Sequence, residues 1–265
     1  MTAPHSPPAD QMPALRIQNV NMSFKTAKGP IQALSNVSLD VAQNTFVSIV
    51  GRSGCGKSTL LRIVTELLAR DSGNVEVMGK SPAAYQAQKK FGFVFQEASL
   101  LAWKTVAQNI AMPLEILGGM TKAERDARVA EVLDLVRLKD FAGHYPAQLS
   151  GGMRQRVAIA RALAYEPEIL LMDEPFGALD EFTRREMHDE LIRIWQARNL
   201  TVVFVTHSLT EAMYLSDQIV VMAPRPGRVR EIVDVARPRV GDREAMADPV
   251  YLAQLAHVED LLNEQ

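Results

Sequence analysis

The sequence predicts an α/β protein with a parallel core sheet, an N-terminal antiparallel β flap and an inserted helical segment. Three observations support this prediction. Short apolar runs that end at polar residues recur along the chain, which is typical of buried parallel strands. Alternating apolar and polar residues near the N-terminus indicate a sheet with one exposed face. Between residues 105 and 145 the apolar residues change to helical spacing.

Composition restricts the class of protein. The 29 basic and 31 acidic residues give a net charge of −2, so no basic excess suggests a nucleic-acid partner. The single cysteine, Cys55, allows no internal disulfide and fits a reducing compartment. Residues 1–13 are rich in proline and contain no apolar core, which predicts a disordered leader rather than a signal peptide. No run approaches the roughly 20 apolar residues that span a bilayer, so a membrane role would need a membrane-embedded partner.

The N-terminal flap is predicted from extended segments at residues 15–20, 22–25 and 34–41, with a turn at residues 28–30. Phe24 lies on this flap. Aromatic residues in strands are usually core residues, and stacking on a nucleotide base is the alternative role.

The segment from Gly51 to Thr59, Gly-Arg-Ser-Gly-Cys-Gly-Lys-Ser-Thr, matches the phosphate-loop pattern G-x-x-x-x-G-K-[ST]. In such a loop, backbone N–H groups turn toward an anion, Lys57 reaches the β- and γ-phosphates, and Ser58 offers its hydroxyl to Mg²⁺. An apolar strand precedes the loop, and apolar residues at helical spacing follow it as far as Leu68, so a chance match is a poor explanation. The predicted nucleotide-binding residues of the loop are Gly51, Ser53, Gly54, Cys55, Gly56, Lys57, Ser58 and Thr59.

Polar residues follow three further apolar strands, at positions where ligands bind in open α/β sheets. They are Gln96, the pair Asp173 and Glu174, and His207. The adjacent acids fit a Mg²⁺-associated aspartate and a neighbouring base for water. His207 is placed to sense a terminal phosphate. The alternatives are a Gln that starts a loop, solvated acids at a strand end and a structural His.

Two helical regions follow the first of these strands. Residues 122–139 are predicted as an amphipathic helix with a solvated charged face. Ser150, Gly151 and Gly152 precede a second helix, where the hydroxyl, free N–H groups and helix dipole can receive a phosphate. The same tripeptide is also ordinary loop chemistry. Residues 250–262 are predicted as a surface helix.

The order of these motifs resembles that of the ATP-binding cassette (ABC) ATPases, from about residue 15 to about residue 235. Gln96 matches the Q-loop, residues 149–153 the signature, Asp173 and Glu174 the end of the Walker B strand, and His207 the switch. Residues 177–180 match the D-loop. The resemblance implies a P-loop NTPase (RecA-like) core sheet with an N-terminal antiparallel β subdomain and an inserted α-helical subdomain.

The resemblance also implies a division of the chain. After the leader, the ATPase domain would occupy residues 14–240, with the helical subdomain inserted at about residues 97–165. Residues 241–265 would form a C-terminal helical extension.

The resemblance implies ATP and Mg²⁺ as cofactors. Phe24 would stack on adenine, and Ser150, Gly151 and Gly152 would reach the nucleotide of a second copy, so that two copies close head to tail. The implied catalytic residues are Lys57, Gln96, Glu174 and His207. The implied ligands of Mg²⁺ are Ser58, Gln96 and Asp173.

A closer resemblance is to the ATPases of nitrate, sulfonate and taurine importers. It lies in residues 95–106, in Met153 and in the turn at residues 225–228. Three positions depart from the pattern of these relatives. Ala102 replaces a proline common before the tryptophan, Glu66 stands where many relatives carry Gly, and Asn44-Thr45 replaces a common Gly-Glu. None of these positions is a predicted nucleotide contact.

The sequence therefore predicts the ATPase of an importer for a small organic or inorganic anion. Its partners would be a second copy, an integral membrane permease and, indirectly, a periplasmic or lipid-anchored solute-binding protein, with no nucleic acid. It would lie peripherally at the cytoplasmic face of the cell (inner) membrane. One alternative is a soluble ABC ATPase of DNA repair or translation. The other, a P-loop small-molecule kinase, is opposed by the signature and His207.

Overall fold

The computed structural model describes residues 12–27, 29–235 and 245–263. Most of the predicted leader and Lys28 of the predicted turn lie outside these ranges. So do residues 236–240 of the predicted ATPase domain and residues 241–244 and 264–265 of the predicted extension. The chain divides into two compact units. The first is formed by the chain up to Gln88 and from Leu200 onward, and the second is Lys89–Asn199.

Strands and helices are interspersed along the described part of the chain, with three successive strands near its start and a run of helices in its middle. The strands are β1 (Leu15–Thr26), β2 (Gly29–Val41), β3 (Phe46–Val50), β4 (Ser72–Val77), β5 (Phe91–Val94), β6 (Ile169–Asp173), β7 (Thr201–Thr206), β8 (Gln218–Ala223) and β9 (Arg228–Asp234). The helices are α1 (Lys57–Val64), α2 (Pro82–Gln86), α3 (Val106–Leu117), α4 (Lys122–Leu135), α5 (Gly151–Leu163), α6 (Glu181–Arg198), α7 (Leu209–Leu215) and α8 (Pro249–Asn263). Within the described ranges, none of these helices combines the length and the apolar character of a membrane span.

The first unit contains an antiparallel sheet in which β1 pairs with β2 along one edge and with β4 along the other. The sequence predicts two short strands where the structure has one continuous β1, so that prediction was wrong. Asn19 has a φ of 51°, and the register with β2 shifts around Val20 and Met22. Such irregularities interrupt the alternation of side chains without ending the strand.

A second, mostly parallel set of strands lies in the same unit. β3 pairs in parallel with β7 and with β8, and β9 pairs antiparallel with β8. All of Phe46–Val50 is buried, as expected for a strand covered on both faces. Val50 pairs with Thr206. The residues that follow β3 and β7 therefore begin at the same edge of the sheet.

α8 packs onto this unit. Tyr251 is 5% exposed and Val258 is fully buried, and both join a cluster that contains Val50, Ala212 and Met213. The sequence predicts a surface helix here, and the structure shows that two of its side chains extend the hydrophobic core.

The second unit contains the parallel pair β5 and β6 together with α3 to α6. Thr105 and Thr121 begin α3 and α4 with reciprocal capping boxes. Arg128 on α4 is 8% exposed and donates hydrogen bonds to the carbonyl oxygens of Leu163 and Ala164 at the end of α5. These bonds satisfy carbonyls that the end of α5 leaves unpaired.

Two helices are shorter than the sequence predicts. α1 ends at Val64 and does not continue to Leu68, because Glu66 has a φ of 57°, a left-handed conformation that stops a helix. Glycine adopts this conformation most easily, so Glu66 holds a backbone angle that usually favours glycine. α4 ends at Leu135, before the predicted Lys139.

Candidate functional site

The phosphate loop joins β3 to α1. Its glycines are required either because a side chain would clash with neighbouring atoms or because the backbone φ angle is positive. A Cβ atom added to Gly51 would lie 2.8 Å from the carbonyl oxygen of Met222, and one added to Gly56 would lie 2.5 Å from Leu34 Cδ2. Gly54 and Gly56 also have φ angles of 80° and 97°. Because residues with a Cβ rarely adopt such angles, the glycines set the path of the loop.

The loop ends at the N-terminus of α1, where Gly56 is the N-cap. Lys57 is 5% exposed, and its Nζ donates a 2.8 Å hydrogen bond to the Gly51 carbonyl, so the side chain spans the loop. Ser58 and Thr59 are half-buried in the first turn. The N–H groups and positive dipole end of a helix N-terminus favour a bound anion.

Two further loop residues differ in exposure. Ser53 is exposed, whereas the Cys55 side chain is buried and its Sγ lies 2.7 Å from where a Cβ on Gly51 would stand. The Cys55 backbone N–H donates a 3.2 Å hydrogen bond to the Arg52 carbonyl. The Cys55 thiol therefore packs near Gly51 and is shielded from solvent.

Phe24 lies near the end of β1, opposite Ile31 on β2. Its side chain is 41% exposed, so it is not the buried core aromatic that strand position alone suggests. An exposed ring can offer its face to a base. Stacking on adenine stays a prediction.

His207 is exposed and follows β7. Val50 pairs with Thr206 at the ends of two neighbouring parallel strands. Gly51 and His207, the next residues of each strand, therefore lie at the same edge of the sheet. This arrangement agrees with the predicted place of His207 beside the phosphate loop, within the first unit.

The sequence analysis missed Glu211, a nearly buried carboxylate close to His207 in the chain. Thr206 Oγ1 donates a hydrogen bond to Glu211, and the Glu211 backbone N–H donates to Ser208 Oγ at 3.3 Å. These bonds fix the turn that carries His207. The Ser-x-x-Glu spacing of a capping box was the available signal.

In the second unit, the pairing of β5 with β6 brings two predicted strand-end residues to one edge. Val94 pairs with Met172, and Gln96 and Glu174 each follow two residues later. Gln96 Nε2 lies 3.7 Å from where a Cβ on Gly177 would stand, and the Glu174 carbonyl oxygen lies 3.5 Å from the same point. The Gln96 amide therefore lies against the turn that begins at Glu174.

Asp173 is the last residue of β6 and is 9% exposed. Glu174 is half-buried and has a φ of 45°. The N–H of Gly177 donates a 3.2 Å hydrogen bond to the Glu174 carbonyl and closes this turn. Left-handed backbone at a residue with a Cβ is unfavourable and is often found at functional sites. The geometry agrees with a functional role for Glu174.

The predicted signature begins α5. Ser150 is exposed, and its Oγ accepts a 3.3 Å hydrogen bond from the Met153 N–H, which makes it the N-cap. A Cβ added to Gly152 would lie 2.3 Å from Thr183 Cγ2, whereas one added to Gly151 would be 3.4 Å from Leu179 Cδ2. Gly152 is therefore required by its contact with α6.

Asp180, in the predicted D-loop, begins that contacting helix. It accepts hydrogen bonds from the Thr183 N–H at 3.0 Å and from Thr183 Oγ1 at 2.7 Å. The bond from the Thr183 backbone is the main reason that the pKa of Asp180 is lowered. Thr183 is thus held by Asp180 on one side and lies against Gly152 on the other.

Two side chains of α5, which the sequence analysis did not select as functional, bind the segment after β5. Gln155 donates to the Phe95 carbonyl at 3.5 Å, and Arg161 donates to the carbonyls of Ala98 and Ser99. Burial lowers the pKa of the Arg161 guanidinium. No local pattern links these residues, because the contacts join distant parts of the chain.

The two units together carry a phosphate loop, a histidine switch, a strand-end glutamine, a strand-end acidic pair and a serine-capped signature helix, which is the motif set of an ATP-binding cassette. The sequence profile of the ABC transporter family matches residues 34–177. The chain therefore belongs to the ABC transporter family, and it is an ATPase of that family.

Two individual relatives and one solved structure support membership of the ABC transporter family. The taurine import ATP-binding protein TauB of Rhizobium johnstonii is 48% identical over 216 residues, which cover 81% of each chain. The bicarbonate transport ATP-binding protein CmpD of Synechocystis sp. is 41% identical, over 94% of this chain and 89% of that protein. The dimeric post-hydrolysis structure of the ATP-binding cassette MJ0796, bound to ADP and Pi, is 36% identical with a TM-score of 0.72, over 83% of this chain and 98% of that one.

These comparisons confirm the predicted fold class, the resemblance to importer ATPases and the ATPase activity. They set aside the kinase and the role in DNA repair or translation, since the relatives are transport proteins. The roles of single residues stay predictions.

Proposed function

We propose that this chain is the ATP-hydrolysing subunit of an importer, and that it drives uptake of a small anionic solute through a separate membrane permease. The observation that supports this most is the 48% identity to a taurine import protein over 81% of the chain. A second relative is named for bicarbonate transport. Taurine carries a sulfonate and bicarbonate is an oxyanion, so both names point to a small solute with an anionic oxygen group.

The residues of the first unit would hold the nucleotide. The phosphate loop and the N-terminus of α1 offer N–H groups to the phosphates, Lys57 supplies a positive charge, and Phe24 offers an exposed ring to the adenine. His207 would contact the γ-phosphate. Since phosphoryl transfer depends mainly on positioning and charge stabilisation, these contacts would supply much of the catalysis.

The residues of the second unit would serve the water and the metal. Glu174 would orient and polarise the attacking water, with Gln96 beside its turn. The Asp173 carboxylate and the Ser58 hydroxyl supply oxygen atoms, which Mg²⁺ prefers as ligands. Phosphate oxygens and water molecules would fill the other coordination positions of the ion. Bound Mg²⁺ would neutralise charge on the phosphates.

The remaining contacts would be made with partners. Ser150 is exposed at the N-terminus of α5, which suits a contact with the nucleotide of a second copy in a head-to-tail dimer. The dimeric form of the MJ0796 cassette supports this arrangement. Trp103 is 74% exposed and lies in the segment after Gln96, which suits a contact with permease helices at the cytoplasmic face of the membrane. A solute-binding protein would act on the permease from the other side.

Purification from native membranes tests the proposal. We expect the tagged chain to bring down a polytopic membrane protein, and the reconstituted complex to hydrolyse ATP faster when its binding protein is loaded with taurine, bicarbonate or nitrate. Trp103→Ala should weaken the permease association and leave hydrolysis by the isolated chain intact. Leu252→Ala, which alters a 48% exposed side chain on α8, is the matched control. Capture of ribosomes or nucleic acid without a membrane protein would contradict the proposal.

A further inference from the structure

The turn at residues 224–227, between β8 and β9, lies directly against the phosphate loop. The Gly227 N–H donates a 2.9 Å hydrogen bond to the Ala33 carbonyl, and its carbonyl accepts one of 2.8 Å from the Ser35 N–H. A Cβ added to Gly227 would lie only 1.9 Å from the carbonyl oxygen of Cys55. Only glycine fits this position, so the turn is held at a fixed place beside the loop.

This placement brings the Arg225 side chain to Gly54. Arg225 Nη2 and Nε lie 3.6 Å and 4.0 Å from the point where a Cβ on Gly54 would stand, and no other non-adjacent heavy atom is within 4 Å of that point. Gly54 itself is exposed. The guanidinium therefore covers the open side of the loop's central glycine.

The charge of Arg225 has no acidic partner in the part of the chain that the structure describes. Its side chain is exposed, and none of the hydrogen bonds or ion pairs among the described residues involves it. Lys57, in contrast, is already directed at the Gly51 carbonyl. A guanidinium presents paired N–H donors that match phosphate oxygens, and it stays charged at any relevant pH.

We propose that Arg225 contacts the phosphates of the bound nucleoside triphosphate and so adds a phosphate-binding residue from outside the phosphate loop. The inference rests on the proposed binding of ATP at residues 51–59. It assigns a role in nucleotide affinity to the turn at residues 224–227, most of which belongs to the segment 225–228 that the sequence analysis used only as a mark of family resemblance. Gly227 would set the position of the turn, and Arg225 would supply the charge.

Calorimetric titration of MgATP into wild type, Arg225→Gln, Arg225→Lys and Arg228→Gln tests this proposal. Arg228 is an exposed arginine that begins β9 directly after the turn, so its variant controls for net charge. We expect Arg225→Gln to raise the Kd about fivefold, Arg225→Lys to recover part of that loss, and Arg228→Gln to stay within about twofold of wild type. The dependence of Kd on salt concentration should also weaken in Arg225→Gln, because one ionic contact is lost.

Each other outcome overturns something definite. If Arg225→Gln binds MgATP as Arg228→Gln does, the inference fails and the proposed function stands. If wild type does not bind MgATP, both fail. If Arg225→Gln binds weakly but its nucleotide-free form also unfolds at a lower temperature than wild type, and Arg225→Lys recovers nothing, Arg225 acts on the structure of the turn and the inference fails.

Discussion

The guanidinium of Arg161 donates a 2.9 Å hydrogen bond to the backbone carbonyl of Ser99. A second bond of 2.9 Å runs from the same guanidinium to the Ala98 carbonyl. Arg161 lies near the end of α5, the helix that begins at the signature, and Ser99 lies shortly after Gln96. The signature helix thus holds the backbone of the segment that leads to Trp103.

Replacing Arg161 with lysine keeps the charge and removes the fork that binds both carbonyls. We expect the free energy of unfolding to fall by about 1 kcal/mol and amide exchange at residues 97–103 to become faster. Urea denaturation and hydrogen-exchange mass spectrometry measure these effects. Arg125→Lys on α4 is the control, and equal exchange in the two variants would contradict the predicted role.

The contact between Gly152 and Thr183 predicts a rescue. Gly152→Ala should destabilise the chain by about 1–3 kcal/mol, because the new Cβ would lie 2.3 Å from Thr183 Cγ2. Thr183→Ser removes that methyl group and keeps the hydroxyl that bonds Asp180, so the double variant should recover most of the loss. Gly151→Ala, whose Cβ would have 3.4 Å to its nearest neighbour, should change stability little. Chemical denaturation of all four variants decides the matter, and additive losses in the double variant would refute the contact.

The position of Glu174 predicts a separation of binding from turnover. Glu174→Gln keeps the size of the side chain and removes its basicity, so hydrolysis should fall by about 100-fold or more while the Kd for MgATP changes little. Phosphate release and calorimetry measure the two quantities. Glu259→Gln on α8 makes the same chemical change away from the site. Turnover near the wild-type rate in Glu174→Gln would exclude Glu174 as the base.

The half-buried phenol of Tyr165 predicts a pH dependence of stability. Its hydroxyl donates a 2.6 Å hydrogen bond to the Phe91 carbonyl, and burial raises the pKa of Tyr165 to about 12. Since the folded pKa is the higher one, the stabilisation is complete below the unfolded pKa of about 10 and is lost as pH rises toward 12.

Tyr165→Phe is the variant that tests this dependence. Between about pH 9 and about pH 11, wild type should lose about 1 kcal/mol more unfolding free energy than Tyr165→Phe. Urea denaturation at the two pH values measures the difference, and parallel losses in both proteins would contradict it.

Much of the fold follows from the sequence because its signals are local. The buried strand Phe46–Val50 is an apolar run interrupted only by Ser48, and the motifs of an ATP-binding cassette are short and contiguous. Glu66, which ends α1 in a left-handed conformation, gives no such signal because glutamate is a good helix former. Two close contacts join residues that are distant in the sequence, namely Thr183 with Gly152 and Arg225 with the phosphate loop. A periodic sequence pattern cannot predict such contacts. The roles of the site residues could not be predicted from local signals, because they depend on contacts with bound nucleotide.

The insertion of Tyr251 and Val258 into the cluster around Val50 and Met213 has a practical consequence for handling the protein. A truncated protein that ended before Pro249 would lack the α8 side chains that pack against Val50, at the end of the strand that precedes the phosphate loop. Such a truncated protein would expose the hydrophobic residues that α8 covers, and we expect it to aggregate during purification. Affinity tags should therefore be appended after α8 and never substituted for it.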